Sequence, residues 1–334
     1  MTPNTRRLLL NLARILISAV LLVWVLSQAG LEQLAATARS ADLRLYGLAV
    51  VLAVAGILMR AARWHGLLRA VGARVSFGRA VYLYFIGAFF NTFLPTGFGG
   101  DVVRVLEIGP GATSQQAAGT ALVDRLTGFI MLFVLALAAL PFAHQLLPAN
   151  LALLIATLAA AVLLGSVLLF EGRLIRRLTR WLPAALSPAG DAWIGRTYAV
   201  ITTCGARGVG GALLWSLIFN LSLIVESVLV SRALGLSVPA GIFFLFVPVA
   251  VAALLVPISI AGLGVREGLY VTLFGQVGVG AAEAVALSLA LYSLDVAMGL
   301  VGGLIYLVAG LTGLRPKRPS STAPPQPSES PEAP

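Results

Sequence analysis

The chain has 334 residues, 59% apolar and 11% charged, and its net charge of +10 is carried by 22 arginines and a single lysine. Soluble domains are about 45–50% apolar and about 25% charged, so a soluble fold is excluded and a membrane protein is indicated. Runs such as Leu151 to Phe170 are apolar on every face, whereas a spanning β-strand alternates apolar and polar over about ten residues; the spanning elements are therefore helices.

Other chemistry is narrowed by counting. Cys204 is the one thiol and His65 and His144 the only imidazoles, which leaves no intrachain disulfide and no Cys-rich metal site, and a His-rich metal site or a histidine-driven triad is not expected. No metal and no cofactor is expected. The arginines lie in gaps between apolar runs, where they orient a membrane protein and meet anionic headgroups, so nucleic acid is not the expected partner.

In chain order, the first apolar run is Leu8 to Leu26, behind Arg6 and Arg7 and interrupted by Arg14. Ser27-Gln28-Ala29 resembles a signal cleavage site, but an uncleaved first helix is the preferred reading, with Arg14 snorkelling. Helices follow at Leu45 to Met59, Ala121 to Leu140, Leu151 to Phe170, Ala212 to Val230 and Ala284 to Leu307. Arg60, Arg63, Arg69, Arg74 and Arg79 have no acid between them, and the stretch from Glu171 to Gly210 is also strongly basic. The positive-inside rule makes both loops and both termini cytoplasmic. Arg60 and Arg63 are placed at the cytoplasmic interface, an interfacial helix is expected around Leu174 to Leu182, and Gly208-Val209-Gly210-Gly211 reads as a hinge before a helix. The Pro/Ser-rich residues 314–334 read as a disordered cytoplasmic tail behind a single transmembrane domain, residues 1–313.

Two apolar segments break the alternation. Ala80 to Pro95 starts on the cytoplasmic side, yet so must the helix after it; Gly241 to Phe274 must begin and end outside. The first is read as re-entrant and the second as either a re-entrant hairpin or a pair of short spans, the two entering from opposite faces. At about 20 residues per span, the expected fold is an all-α polytopic bundle of about 6–8 spanning helices plus these two segments, related as an inverted repeat.

Both odd segments end in similar motifs. Leu94-Pro95-Thr96-Gly97-Phe98-Gly99-Gly100-Asp101 leads to Arg104, and Val256-Pro257-Ile258-Ser259-Ile260-Ala261-Gly262-Leu263-Gly264-Val265 leads to Arg266 and Glu267. In each the arginine lies nine residues after the proline, and the pattern recurs 162 residues later. Proline and clustered glycine free backbone groups that only protein or a water-filled cavity can satisfy. Paired breaks in two halves are the pointer to a midplane site in transporters built from inverted repeats. Gly97-Phe98-Gly99-Gly100 lacks the Lys-Ser/Thr of a nucleotide loop.

Asp101, Arg104, Glu107, Asp124, Arg125, Glu226, Arg266, Glu267 and Asp295 lie in or beside apolar runs, where an unpaired charge costs about 2.5–3.5 kcal/mol. They must pair or face water. An Asp101–Arg266 or Arg104–Glu267 pair would join the two motifs, and Asp124-Arg125 reads as a helix entrance. Guanidinium grips phosphate with a fork and carboxylate takes an ammonium or a sugar hydroxyl, which suits a phospholipid or lipid-linked headgroup. The candidate binding residues are Asn91, Pro95, Gly99, Gly100, Asp101, Arg104, Asp124, Arg125, Glu226, Pro257, Ser259, Gly262, Gly264, Arg266 and Glu267.

These residues resemble a family, the lysylphosphatidylglycerol synthase transmembrane or flippase-like family, which includes the membrane half of multiple peptide resistance factors. The resemblance runs over about Leu8 to Gly313 and rests on Arg60-Ala61-Ala62-Arg63-Trp64 with Leu67-Leu68, Phe89-Phe90-Asn91 through Asp101 and Arg104, Asp124-Arg125, and Pro257 through Gly268. Trp215, Glu226 and Arg232-Ala233-Leu234-Gly235 fit it as well. One departure is Tyr292, followed by Ser293 with Asp295 nearby, where the family often has an arginine. The resemblance implies a bacterial inner-membrane protein, not an enzyme, that binds and moves a polar lipid between leaflets: an anionic or aminoacylated phospholipid or a lipid-linked sugar. It also implies, as protein partner, a separate lipid-modifying synthase or glycosyltransferase. A non-transporting membrane transferase, or an accessory subunit of a glycolipid or cell-envelope pathway, is the rival.

Overall fold

A computed structural model describes residues 39–94, 99–143, 148–170, 193–254 and 262–312, with positions 32, 36, 37 and 177. Ten helices are formed among them: α1 Leu43–Ala70, α2 Phe77–Phe93, α3 Gly99–Leu106, α4 Ser114–Ala143, α5 Ala149–Phe170, α6 Trp193–Thr203, α7 Gly205–Ala233, α8 Ala240–Ala253, α9 Val265–Gly275 and α10 Ala281–Leu311. Five are long and apolar enough to cross a membrane: α1, α4, α5, α7 and α10. They coincide with the five spans expected downstream of residue 44. The expected first helix, the Leu174 to Leu182 interfacial helix and the tail lie outside the described residues.

Polar residues punctuate the apolar text. Asp42 opens α1 by accepting from the N–H groups of Arg44 at 2.8 Å and Leu45 at 3.3 Å, and Ser76 opens α2 by accepting from Arg79 at 3.2 Å, each satisfying amides that have no intrahelical partner. Gly72 and Gly235, both at positive φ, end α1 and α7 in the left-handed turn that glycine takes without a Cβ penalty.

Chain connections define two sides of the bundle. On side A, the N–H of Arg74 donates to Gly111 O at 2.7 Å, Gln116 Nε2 donates to Val71 O at 2.9 Å and the Tyr198 hydroxyl donates to Leu169 O at 2.9 Å. The end of α1, both ends of the α2–α3 segment, the start of α4, the end of α5 and α6 are thereby gathered there. On side B, the N–H of Asp42 donates to Ala233 O at 2.7 Å, joining the start of α1 to the end of α7, from which α8 follows. With α1 running from B to A, the other spans alternate as expected.

The two odd segments are helical hairpins. In the first, Arg79 near the start of α2 donates to Glu107 O just after α3, while Asn91 Oδ1 at the far end accepts from the N–H of Gly100 at 2.8 Å. The chain thus enters from side A and returns to it. In the second, Phe243 and Phe246 of early α8 pack on Phe274 of late α9 with centroids 5.5 and 5.1 Å apart, so the chain enters from and returns to side B. Opposite entry is the inverted relation read from the sequence.

Both hairpins lie against α10. A Cβ on Gly302 would sit 1.9 Å from Phe85 O and one on Gly303 2.7 Å from Phe89, so only glycine lets α10 approach α2 this closely. The tips meet α10 at its middle: Thr92 Oγ1 donates to Asp295 O at 3.5 Å and Arg266 Nε donates to Ser288 Oγ at 3.2 Å. Seven helical residues correspond to about 10 Å of rise, so the tips are neighbours along α10. The largest buried core lies at the side-B end, where α8 and α9 pack with α4, α7 and α10; a smaller one joins α1 and α2 near side A.

Several sequence expectations change here. Helix α1 continues to Ala70, about 42 Å at 1.5 Å per residue, so Arg60 and Arg63 lie within the helix and not in a cytoplasmic loop. Asp124 is ten residues inside α4 and not at its entrance. Gly208 to Gly211 form the first turns of α7 and not a hinge before it. In each case tertiary packing extends the helix beyond the apolar run that announces it.

Candidate functional site

Two charged groups face the middle of the bundle. The first is centred on Asp124, 2% exposed. Its Oδ1 accepts from Arg63 Nε of α1 at 2.6 Å, its Oδ2 accepts from the Tyr84 hydroxyl of α2, and Arg104 Nη1 of α3 stands 3.7 Å from that same oxygen. Arg104 also pairs with Asp101 one turn earlier, and Asp101 Oδ2 lies 3.1 Å from Arg125 Nη1 of α4. The Arg104 guanidinium lies over the rings of Tyr84 at 4.2 Å and Trp64 at 4.9 Å. Four elements are tied by one carboxylate and its neighbours.

The glycines of this motif act through closeness. A Cβ on Gly100 would lie 2.2 Å from Gly87 O and 2.7 Å from Asn91 Nδ2, so glycine allows α3 to press on α2. Asn91 then holds the first turn of α3, and Asp101 sits in that turn, where the helix dipole favours a negative charge. Gly99 is buried beside it.

The second group sits at the start of α9. Gly264 has φ +80° and Gly262 φ +75°, left-handed conformations that admit glycine freely. Glu267 is fully buried, and its Oε2 accepts from the N–H of Gly264 at 2.6 Å, the backward half of a capping box. Its Oε1 pairs with Arg266 Nη2 at 3.2 Å and is 3.3 Å from Ser288 Oγ. The Arg266 guanidinium stacks 4.1 Å over Tyr292.

The expected cross-motif pairs, Asp101–Arg266 and Arg104–Glu267, are not formed. Each arginine finds its carboxylate within its own half: Asp101 and Asp124 lie against Arg104, and the adjacent Glu267 takes Arg266. What joins the halves is α10, which accepts from Thr92 at the Asp295 carbonyl oxygen and from Arg266 at Ser288. Asp295 interacts electrostatically with both Arg266 and Arg60, and Glu226 of α7 interacts with Asp295 and Arg60. Neither carboxylate has a hydrogen bond or an ion pair among the described residues.

Asp295 shares a face of α10 with residues seven positions away, Ser288 and Gly302, both buried, one on Arg266 and the other on Phe85. Asp295 itself is exposed. It is thus an accessible side chain between two buried neighbours, on the stretch of α10 that Thr92 of the first hairpin and Arg266 of the second both reach. Arg60 of α1 lies 5.1 Å over Phe219 and 5.8 Å over Tyr84; Glu226, seven residues after Phe219, lies on the same face of α7.

Of the candidate residues, Asn91, Gly99, Gly100, Asp101, Arg104, Asp124 and Arg125 gather at the first hairpin and Gly262, Gly264, Arg266 and Glu267 at the second, while Glu226 stands apart from both on α7. Pro95, Pro257 and Ser259 lie outside the described residues. Arg60, Arg63, Tyr84, Ser216, Tyr270, Ser288 and Tyr292 were not among the candidates. Ser216 accepts from Arg63 Nη1 at 2.9 Å. A hydroxyl within an apolar run announces nothing alone; the usable signal is its seven-residue spacing from a marked position, as Tyr84 stands to Asn91 and Ser288 to Asp295. Among the described residues no group of three metal-ligating side chains converges.

A family profile described as lysylphosphatidylglycerol synthase TM region matches residues 11–303. A UPF0104 membrane protein of Pyrococcus horikoshii is 29% identical over 133 residues, covering 39% of this chain and 40% of that relative. The chain thus aligns with well under half the length of the curated relative it matches. No solved structure matches it. With the profile spanning nearly all the helical region, the chain belongs to the family of the lysylphosphatidylglycerol synthase TM region, as a multi-pass helical membrane protein.

Proposed function

We propose that this protein binds the polar headgroup of a phospholipid or lipid-linked sugar beside Asp295, where both hairpins meet α10, and carries it between leaflets of the cell membrane. The observation that supports this reading most is Asp295, accessible on the inward face of a spanning helix. A charge kept unpaired at that depth is costly and marks a pathway. Arg60 and Arg266 offer guanidinium groups for a phosphate, while Glu226 and Asp295 offer carboxylates for an ammonium or hydroxyl. The ion-paired network around Asp124 is the frame against which such a headgroup would move. A separate synthase or glycosyltransferase would supply the lipid.

Reconstitution tests the reading. Vesicles containing the purified protein and headgroup-labelled lipid, anionic in one set and aminoacylated in another, are expected to lose outer-leaflet label asymmetry faster than protein-free vesicles, and Asp295→Ala to abolish the difference. Equal rates with and without protein for every lipid would overturn translocation; a covalently changed lipid would point to the transferase reading.

Orientation follows from charge. Side A carries the arginine-rich connections and is assigned to the cytoplasm. Cys204 is buried, so labelling background is low. Gln276→Cys on side B is expected to react with an impermeant thiol reagent in intact spheroplasts, and Arg207→Cys on side A only after lysis; the reverse result inverts the topology.

A further inference from the structure

We propose that Arg60 is the anion site of the spanning region, and that the headgroup it takes is the phosphodiester of a net-anionic lipid. The inference rests on the headgroup-binding reading and deepens it, naming the group that holds the phosphate and the class of lipid that brings it. Arg63, Arg104, Arg125 and Arg266 each stand against a carboxylate. Arg60 does not. Its Nε donates to Gly56 O at 3.3 Å, one turn back on its own helix, and its Nη1 and Nη2 are neither buried nor hydrogen-bonded among the described residues. The N–H donors of its fork beyond Nε are thus all unclaimed.

Depth and geometry support a site. Phe219 is the middle residue of the 29-residue α7, and the Arg60 guanidinium lies 5.1 Å over its ring, with the Tyr84 ring of α2 at 5.8 Å. The charge therefore sits near half-depth, where one without a partner is costly and marks a pathway. A Cβ on Gly56 would stand 3.3 Å from the Phe219 ring, so glycine lets that ring close on Arg60. Aromatic contact engages the face of the guanidinium and leaves its in-plane N–H bonds free. Those on Nη1 and Nη2 match two oxygens of one phosphate.

The surroundings select the charge of the headgroup. Tyr84 carries a second guanidinium, that of Arg104, at 4.2 Å, and Arg63 lies one turn further along α1. The acids beside them are committed, Asp124 to Arg63 and Asp101 to Arg104 and Arg125. Asp295 is accessible but makes no ion pair with Arg60. Gly302, seven residues after Asp295, packs on Phe85 beside Tyr84, which sets Asp295 about 10 Å along the bundle axis from the Tyr84 ring. Positive charge thus gathers on the side-A flank of Arg60, a setting for a phosphate whose lipid brings no cation of its own, and Asp295 is left for a headgroup hydroxyl.

Thermal unfolding of the purified full chain in detergent, with one added lipid at a time, tests the site, because a ligand of the folded state raises the midpoint. Phosphatidylglycerol is expected to raise it most, phosphatidylcholine less, and a phosphate-free galactosyl diacylglycerol not at all. Arg60→Gln is expected to weaken the apparent phosphatidylglycerol affinity by about tenfold or more, and Arg60→Lys and Phe219→Leu by less. Arg69→Gln, at an exposed position near the side-A end of α1, should leave it unchanged. Arg60 has no paired acid to strand, so Arg60→Gln without lipid should unfold at or above the natural temperature; if it unfolds lower, Arg60→Lys carries the test, and natural affinity in that variant overturns the inference. Full affinity in Arg60→Gln, or an equal shift from the galactolipid, overturns it as well. Inorganic phosphate protecting as well as phosphatidylglycerol overturns the lipid as its source. Phosphatidylglycerol bound through Arg60 with no lipid movement in vesicles leaves this site standing and removes the translocation reading, whereas lipid movement unchanged in Arg60→Gln removes the site and leaves that reading.

Discussion

The two hairpins share a written pattern and differ in how they are held. In the first, the motif arginine Arg104 is bound into a network that crosses four helices through Asp124, Asp101, Tyr84 and Arg63. In the second, Arg266 is satisfied by its own neighbour Glu267 and by Ser288 of one facing helix, and the bulk of the hairpin is fixed by the aromatic contacts of Phe243, Phe246, Tyr270 and Phe274. The first is an electrostatic anchor across the bundle, whereas the second is an apolar wedge with a local ion pair at its tip. A repeated motif therefore conserves geometry, the break and the arginine, without conserving what the arginine does.

The strongest way to break the contrast is Asp124→Ala. Removing the carboxylate strands Arg63 and loosens Arg104, and loss of one partner of a buried pair costs about 3–5 kcal/mol. Thermal unfolding in detergent should register a large drop, greater than for Arg266→Ala. An unchanged midpoint would show that the network does not hold the first hairpin.

Gly100→Ala comes next, because its methyl group would meet the Gly87 carbonyl oxygen at 2.2 Å and overpacking costs about 1–3 kcal/mol. Gly210→Ala, with nothing within 4 Å of the added carbon, serves as its control and should unfold at or above the natural temperature. If the two alanines behave alike, close approach of α2 and α3 is not what selects glycine.

Arg266→Lys sharpens the comparison at smaller energetic cost. Lysine keeps the charge beside Glu267 but loses the planar fork and the stacking on Tyr292, so stability should fall little while lipid movement falls strongly. A stable variant with natural transport would make Arg266 a structural partner like Arg104. Smallest of all, Arg177→Ala at an exposed position should stay within about 0.5 kcal/mol of the natural stability and transport normally.

Much of this was legible in the linear chain. Helical spans follow from apolar runs long enough to satisfy every backbone group internally, the two broken segments from the parity of charged loops, and their opposite entry from the side on which each must begin. The charges needing partners were visible too, since nothing in an apolar run excuses a carboxylate.

Which charges pair was not legible. Pairing is a matter of distance across helices: Arg63 and Asp124 are 61 residues apart in the chain and 2.6 Å apart in space, and no local pattern marks the match. The helix ends moved for the same reason, as α1 and α4 continue past their apolar stretches because buried partners offset the cost of their charges. The sequence by itself determined a helical membrane protein with two inverted breaks, since hydrophobic length and charge placement act locally along the chain. Only the tertiary structure decided that the motif residues around Asp124 close into a frame while Asp295 stays accessible between buried neighbours on α10, because burial and access depend on what the other helices bring.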